Sequence, residues 1–306
     1  MSPTSAVVRL PLVALLVATG CAAPVIDEDE DLADAGEAIT QGIVLVERVV
    51  STAEPVAALT SVSAKFMRLS GASDPERVER VVGTRLDLPA ALPGCLLLGE
   101  EDETSLEGLG RVTLLDAGDE VTLTAQGQAF PLDRRAFPDV GGAVFGQFYT
   151  SRDATMQLPA PAQYVLQSSG SAEMDRLTLT IDGPAAPAEV RVGDRDIAAV
   201  LQLEAGTDAP VRWRVGSDAS PGDLVYVDVA SSGGAVLRCA FPDGGEGVLP
   251  GGMLGTVLES SQRSSLEVSV AVHRVREAGL AEAGGLDGGE MRFDLGVVGH
   301  GSLATP

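Results

Sequence analysis

The side chains that most often carry covalent or metal chemistry are scarce in this chain. Its 306 residues hold two histidines (His273, His300), three cysteines (Cys21, Cys95, Cys239) and one lysine, Lys65. Zinc sites need His or Cys at short spacings, yet neither histidine begins an H-E-x-x-H run and no C-x-x-C pair exists. There is no G-x-S-x-G nucleophile elbow. No G-x-G-x-x-G opens a helix either, since "GGEGVLP" runs into Pro250. Lys65 lies in "SVSAKFMRL", with no glycine-rich phosphate loop before it, which excludes a P-loop. His273 falls out of phase with Val270 and Val272, on the side of Glu267 and Ser269, and reads as a solvated strand residue. His300 sits in the terminal "GHGS". A Ser–His–acid constellation drawn from distant positions stays open, because triads are geometric. The reading taken is a non-enzyme, with no catalytic residue, metal ligand or cofactor assigned.

Charge narrows the partners. Forty-four acidic residues against 21 basic leave a net charge of −23. Such a surface repels phosphate, so basic-patch recognition of nucleic acid is excluded. Twenty of the 21 basic residues are arginine, the mark of a GC-rich coding bias rather than of chemistry. "FPDGGEG" (Phe241–Gly247) and "GLDGGE" (Gly285–Glu290) offer carboxylates that calcium could use; their plainer reading is turn chemistry, glycine supplying positive φ and aspartate bonding nearby backbone.

The N-terminus locates the chain. Met1–Gly20 carries one charge, Arg9, and an apolar run from Leu10 to Ala18. A bilayer span needs roughly 20 apolar residues. A positive start, a short apolar stretch and small residues at the end make residues 1–20 a signal peptide. Between Asp27 and Glu37, seven of eleven residues are carboxylates. A block of like charge repels itself and stays extended, so residues 21–40 read as an acidic tether. Its nineteen residues after Cys21 reach at most about 65 Å. The spacing Asp27-x-Asp29-x-Asp31 is not a calcium loop, because Leu32 and Ala38 stand where glycine and a bidentate glutamate are needed.

Ala18-Thr19-Gly20-Cys21 resembles the lipobox of bacterial lipoproteins, although Ala18 stands where that family prefers leucine. The resemblance implies a diacylglyceryl thioether on Cys21 and acylation of its new N-terminus. Three chains anchor firmly, where one alone is marginal. Ala22 after the cysteine, rather than aspartate, implies the outer membrane. The rival is ordinary cleavage after Ala23, which would leave Pro24 following the cut. Lipidation of Cys21 leaves Cys95 and Cys239 as a pair that an exported location allows to form a disulfide; two buried free thiols are the alternative.

The elements that must position these residues alternate with period two. "RVTLL-DAGD-EVTLTAQ" (Arg111–Gln126) reads as a hairpin. "RLTLTID" places Leu177, Leu179 and Ile181 on one face and Thr178, Thr180 and Asp182 on the other. "VRWRV", "DLVYVDVA", "AVLRCAF", "SLEVSVAVHRV" and "MRFDL" give further half-buried antiparallel strands, with Leu237, Cys239 and Phe241 sharing one face. In "SDPERVERVVG", Asp74 could cap a helix, but a turn and a return strand are preferred; "GGMLGTVLESS" gives one short helix. The expected fold is all-β: antiparallel β-sandwich units with few short helices. "IDGPAAPAEV" separates unit one (41–182) from unit two (188–302), the latter with the strand count of an immunoglobulin-like sandwich but without its cysteine spacing around Trp213. A Cys95–Cys239 bond would join the two. "CAFPDGGEGVLP" (Cys239–Pro250) resembles a turn in uncharacterised exported β-proteins of GC-rich Gram-negative bacteria, a resemblance that implies no activity. The function expected is a lipid-anchored envelope protein that binds an envelope protein or glycan or serves structurally. An exported hydrolase and a calcium-dependent adhesion module are the alternatives.

Overall fold

Alternating apolar residues settle into strands through most of the computed structural model, which describes residues 38–53, 57–71, 74–99, 109–152, 156–231, 234–261, 263–280 and 283–306. The first nine strands are β1 (Ile39–Ser51), β2 (Ala58–Ser70), β3 (Gly94–Leu98), β4 (Arg111–Leu114), β5 (Val121–Ala125), β6 (Gln128–Val140), β7 (Val144–Arg152), β8 (Ala162–Ser168) and β9 (Leu177–Gly183). Then come β10 (Ala188–Val192), β11 (Arg195–Asp196), β12 (Leu201–Glu204), β13 (Ala209–Arg214), β14 (Leu224–Ser231) and β15 (Val236–Pro242). The last are β16 (Glu246–Leu249), β17 (Ser265–Gly279) and β18 (Gly288–Ala304). Two short α-helices among the described residues join them, α1 (Pro75–Val81) and α2 (Gly251–Ser260), with a 3-10 turn at Ala283–Gly285. The all-β expectation is met.

One sheet of 14 strands runs β3-β15-β14-β17-β18-β1-β2-β4-β7-β6-β5-β8-β9, with β12 joined to β18; a second runs β11-β10-β13-β16. The long sheet folds back on itself at β6, whose first residues pair with β5 and whose later ones pair with β7. Val44, Val62 and Phe66 of β1 and β2 thereby share a core with Leu123, Tyr164 and Leu166 of β5 and β8. A second core lies between Val211 and Trp213 of β13 and Val227, Leu237 and Val270 of β14, β15 and β17. Both are sandwiches, the first between two parts of the folded-over sheet and the second between the two sheets. Most pairings are antiparallel, but β1–β18, β12–β18 and β4–β7 run parallel.

The two cores share a strand. Met291 and Phe293 of β18 belong to the first core, and Leu303 near its end belongs to the second. The stretch between β9 and β10 is clamped to β17, the antiparallel neighbour of that strand, because Arg274 Nη1 donates to the carbonyls of Ala185 (2.9 Å) and Ala186 (3.3 Å).

Two local expectations are corrected. Arg111–Gln126 is not a hairpin: β4 pairs with β2 and β7, whereas β5 pairs with β6 and β8. Alternation reports which face a residue takes but not which strand lies beside it. The hairpin lies one strand later, where Gln126 and Gly127 both take positive φ (49° and 77°), as a two-residue turn of right-handed twist requires. "SDPERVERVVG" is a helix rather than a turn and return strand. Asp74 caps α1 by accepting from the Glu76 N–H (3.1 Å), Pro75 opens it, and Val78 and Val82 bury against Ile43, Leu45 and Met67. Seven residues make a helix that tertiary packing must hold. The α2 helix stands where expected, with Leu254, Val257 and Leu258 buried.

Candidate functional site

Cys239 lies on β15 between Leu237 and Phe241, all three turned into the second core. Edge strand β3 registers Cys95 directly opposite it, and the two sulfurs are bonded at 2.07 Å. The expected disulfide is present. Beside it opens a groove of about 570 Å³, walled by Pro93, Cys95, Phe241, Val248, Pro250 and Met253. Among the described residues its one charged lining residue is Glu246. A Cβ at Gly247 would lie 2.8 Å from the Phe241 ring, so only glycine lets that ring floor the groove. The groove runs between β3, which ends the larger sheet, and β16, which ends the smaller one. Val248, which lines it, and Leu92, which precedes Pro93, are large apolar side chains more than 40% exposed.

The "FPDGGEG" turn beside the groove holds more than turn chemistry. Gly245 supplies the positive φ (87°), as expected, but the Asp243 side chain turns inward. It accepts from Trp213 Nε1 (2.6 Å) and faces Arg274 Nε at 2.8 Å, with side-chain exposures of only 3% and 1%. Arg276 alongside pairs with Asp223 (2.7 Å) and Asp218 (3.4 Å). Burial opposes the charge of Asp223, but hydrogen bonds from Arg276 and the Ser220 N–H hold its carboxyl below the usual range. In "GLDGGE", Asp287 accepts from the Thr40 N–H (2.7 Å) and hydroxyl (2.8 Å) and ties the start of β1 to β18. Among the described residues, no three His, Cys, Asp or Glu side chains stand where they could hold a metal ion.

His273 is buried, not solvated. Its Nδ1 lies 2.6 Å from Asp294 Oδ1, the Tyr226 hydroxyl donates to Asp294 Oδ2 (2.6 Å), and the Tyr226 and His273 rings stack at 4.5 Å. Arg238 lies over the Tyr226 ring and makes two hydrogen bonds to Asp228 (2.8 and 2.7 Å). The outward face of β14 and β17 is covered here, because Leu86 and Leu88 pack on Tyr226 and Val275. Asp294, Tyr226 and Arg238 line a polar cleft of about 210 Å³ with Glu47, Arg85 and Arg292. Burial works against the Asp294 charge, but the hydrogen bond and charge of His273 and the Tyr226 hydroxyl prevail and lower its pKa. The folded carboxyl thus titrates below its unfolded value of about 3.9. Its stabilising contribution is complete above that pH and is lost as pH falls through the folded pKa. Thermal midpoints from pH 7 to pH 3 are expected to fall more steeply below about pH 4 in the native chain than in Asp294→Asn. Parallel curves would remove Asp294 from the acid limb.

His300 is exposed and faces Ser269 across the β17–β18 pair, in an open trough of about 630 Å³ that also takes in Val200, Glu267 and Ser302. No hydrogen bond joins His300 to Ser269 or Glu267, and the one His273 makes is to Asp294. Among the described residues, then, neither histidine has a serine or cysteine side chain hydrogen-bonded to it. Lys65 lies on β2, buried, with Nζ 5.8 Å from the centre of the Phe148 ring; burial lowers its pKa against the opposing charge of Glu47. Cys21 and the acidic run Asp27–Glu37 lie outside the described residues.

No family model matches the chain, and no curated protein does. Among solved structures, the full ectodomain (Ig1–Ig3) of mouse nectin-like molecule 4 is matched at a TM-score of 0.20 and 11% identity, over 85% of this chain. The chain spans 65% of that ectodomain's length. At that score the likeness adds nothing to the architecture read from the strands.

Proposed function

We propose that this chain is a lipid-anchored, non-enzymatic binding module of the bacterial cell envelope, held at the outer membrane by Cys21. One observation carries the anchor: Cys95 and Cys239 bond to each other, which leaves Cys21 as the cysteine outside the disulfide. It is also the one behind the lipobox-like Ala18-Thr19-Gly20. The binding surface is the groove beside the disulfide. Its apolar lining and two flanking sheet edges suit an extended peptide segment of an envelope protein, added to an edge by main-chain hydrogen bonds.

Cys21→Ser tests the anchor. The variant is expected to leave the membrane fraction for the soluble one, and a variant that stays with the membrane contradicts lipidation there. A photo-crosslinking residue in place of Val248 is expected to trap an envelope protein, while one in place of exposed Glu120 traps none. Equal yields at the two positions would remove the groove from the reading.

A further inference from the structure

Strand β9 ends the larger sheet, among the described residues no strand pairs with it on the side away from β8, and its sequence along that edge is complementary to itself. The Leu177 N–H turns towards β8, where it donates to Ser168 Oγ (3.1 Å), and the ladder runs from Leu177 opposite Ser168 to Gly183 opposite Ala162. By the alternation of an antiparallel ladder, odd-numbered residues direct their backbone groups to β8 and even-numbered ones direct theirs outward. The Asp182 carbonyl accordingly accepts from Arg276 Nη1 (3.2 Å), from outside the β8–β9 pair. Among the described residues, no hydrogen bond from beyond β8 reaches the backbone of Thr178 or Thr180.

Open edges are ordinarily blunted by proline, lysine or a bulge. The β9 sequence "LTLTIDG" contains no proline or lysine, and its pairing with β8 runs without a register shift. About Leu179 the stretch Arg176–Asp182 is a mirror: Thr178 answers Thr180, Leu177 answers Ile181, and Arg176 answers Asp182. Arg176, Thr178, Thr180 and Asp182 are exposed, while Leu179 and Ile181 pack only partly against the first core.

We propose that two copies of the chain pair antiparallel through β9, two-fold about Leu179, in an isologous dimer. Thr178 of each copy exchanges N–H···O bonds with Thr180 of the other, using the outward backbone groups. Arg176 meets Asp182 of the second copy, and symmetry repeats the pair, so opposite charges stand face to face at both ends of the interface. Leu179 faces its own copy across the axis and extends the apolar row of the first core into the second molecule.

The full-length chain tests this. Leu179→Cys is expected to form a covalent dimer on oxidation, because directly opposed residues of the closer kind have Cα atoms about 4.5 Å apart, within disulfide reach. Arg176→Asp and Asp182→Arg should each weaken association about tenfold or more, by placing like charges opposite at both ends. The double variant Arg176→Asp/Asp182→Arg should restore it, which separates a register effect from misfolding. A native chain that sediments as a monomer at micromolar concentration would overturn the proposal. So would a dimer that both single reversals leave intact, or a Leu179→Cys chain that does not cross-link.

Discussion

Asp243→Ala is expected to cost about 3–5 kcal/mol of stability, read as a fall in the urea midpoint at unchanged slope. The size follows from burial: removing one partner of an enclosed ion pair leaves the other charge uncompensated. Arg274 cannot relax into water. Its guanidinium is held by the carbonyls of Ala185, Ala186 and Arg214, and its side chain is 1% exposed. Trp213 Nε1 would lose its acceptor as well. Asp243→Asn keeps an oxygen for Trp213 but loses the charge and turns an amide nitrogen towards Arg274 Nε, so it should cost less than Asp243→Ala only by about the 1 kcal/mol that the Trp213 hydrogen bond contributes. A loss under about 1 kcal/mol for Asp243→Ala would mean that the pair does not hold the 184–187 connection against β17.

The second large effect is loss of the disulfide. In the chain-entropy model, a bond across 144 residues stabilises by about 5 kcal/mol, and removing a native one from a small secreted domain typically costs about 2–5. Cys95→Ala/Cys239→Ala should therefore lower the melting temperature by roughly 10 °C. The damage is expected to be uneven. Among the described residues β3 pairs with β15 alone, whereas β14 is held between β15 and β17. Amide exchange should accelerate first over Gly94–Leu98 and far less over Leu224–Ser231. Uniform acceleration would show that the bond stabilises by chain entropy only, with no local clamp on the groove wall.

What the sequence made legible is the alternation, and its limits are equally physical. Val225, Val227 and Val229, and Leu266 to Val272 in steps of two, are buried as their phase requires. The same phase carries on to Arg274 and Arg276 on β17, two charges on the core-facing side, and that was a readable sign of buried partners. It did not say which carboxylates: Asp243 and Asp223 arrive from 31 and 53 residues away. His273 misled for the opposite reason. It lies out of phase, which marks solvent only where one face of the sheet is bare, and here Leu86 and Leu88 cover the outward face. The Asp294–His273–Tyr226 cluster was legible only as a charge set between Phe293 and Leu295. The Arg111–Gln126 hairpin failed because neighbours in sequence entered different parts of a folded-over sheet. The Cys95–Cys239 pair was legible because three is an odd number and the lipobox-like resemblance, if Cys21 is lipidated as proposed, sets one of them aside.

The intact mass of the purified protein tests that arithmetic most directly. The expected spectrum has an N-terminal Cys21 carrying a diacylglyceryl adduct and an acyl chain, with a mass two daltons below that of the fully reduced form, as a Cys95–Cys239 bond requires. An unmodified chain beginning at Pro24 would contradict the anchored reading at its root.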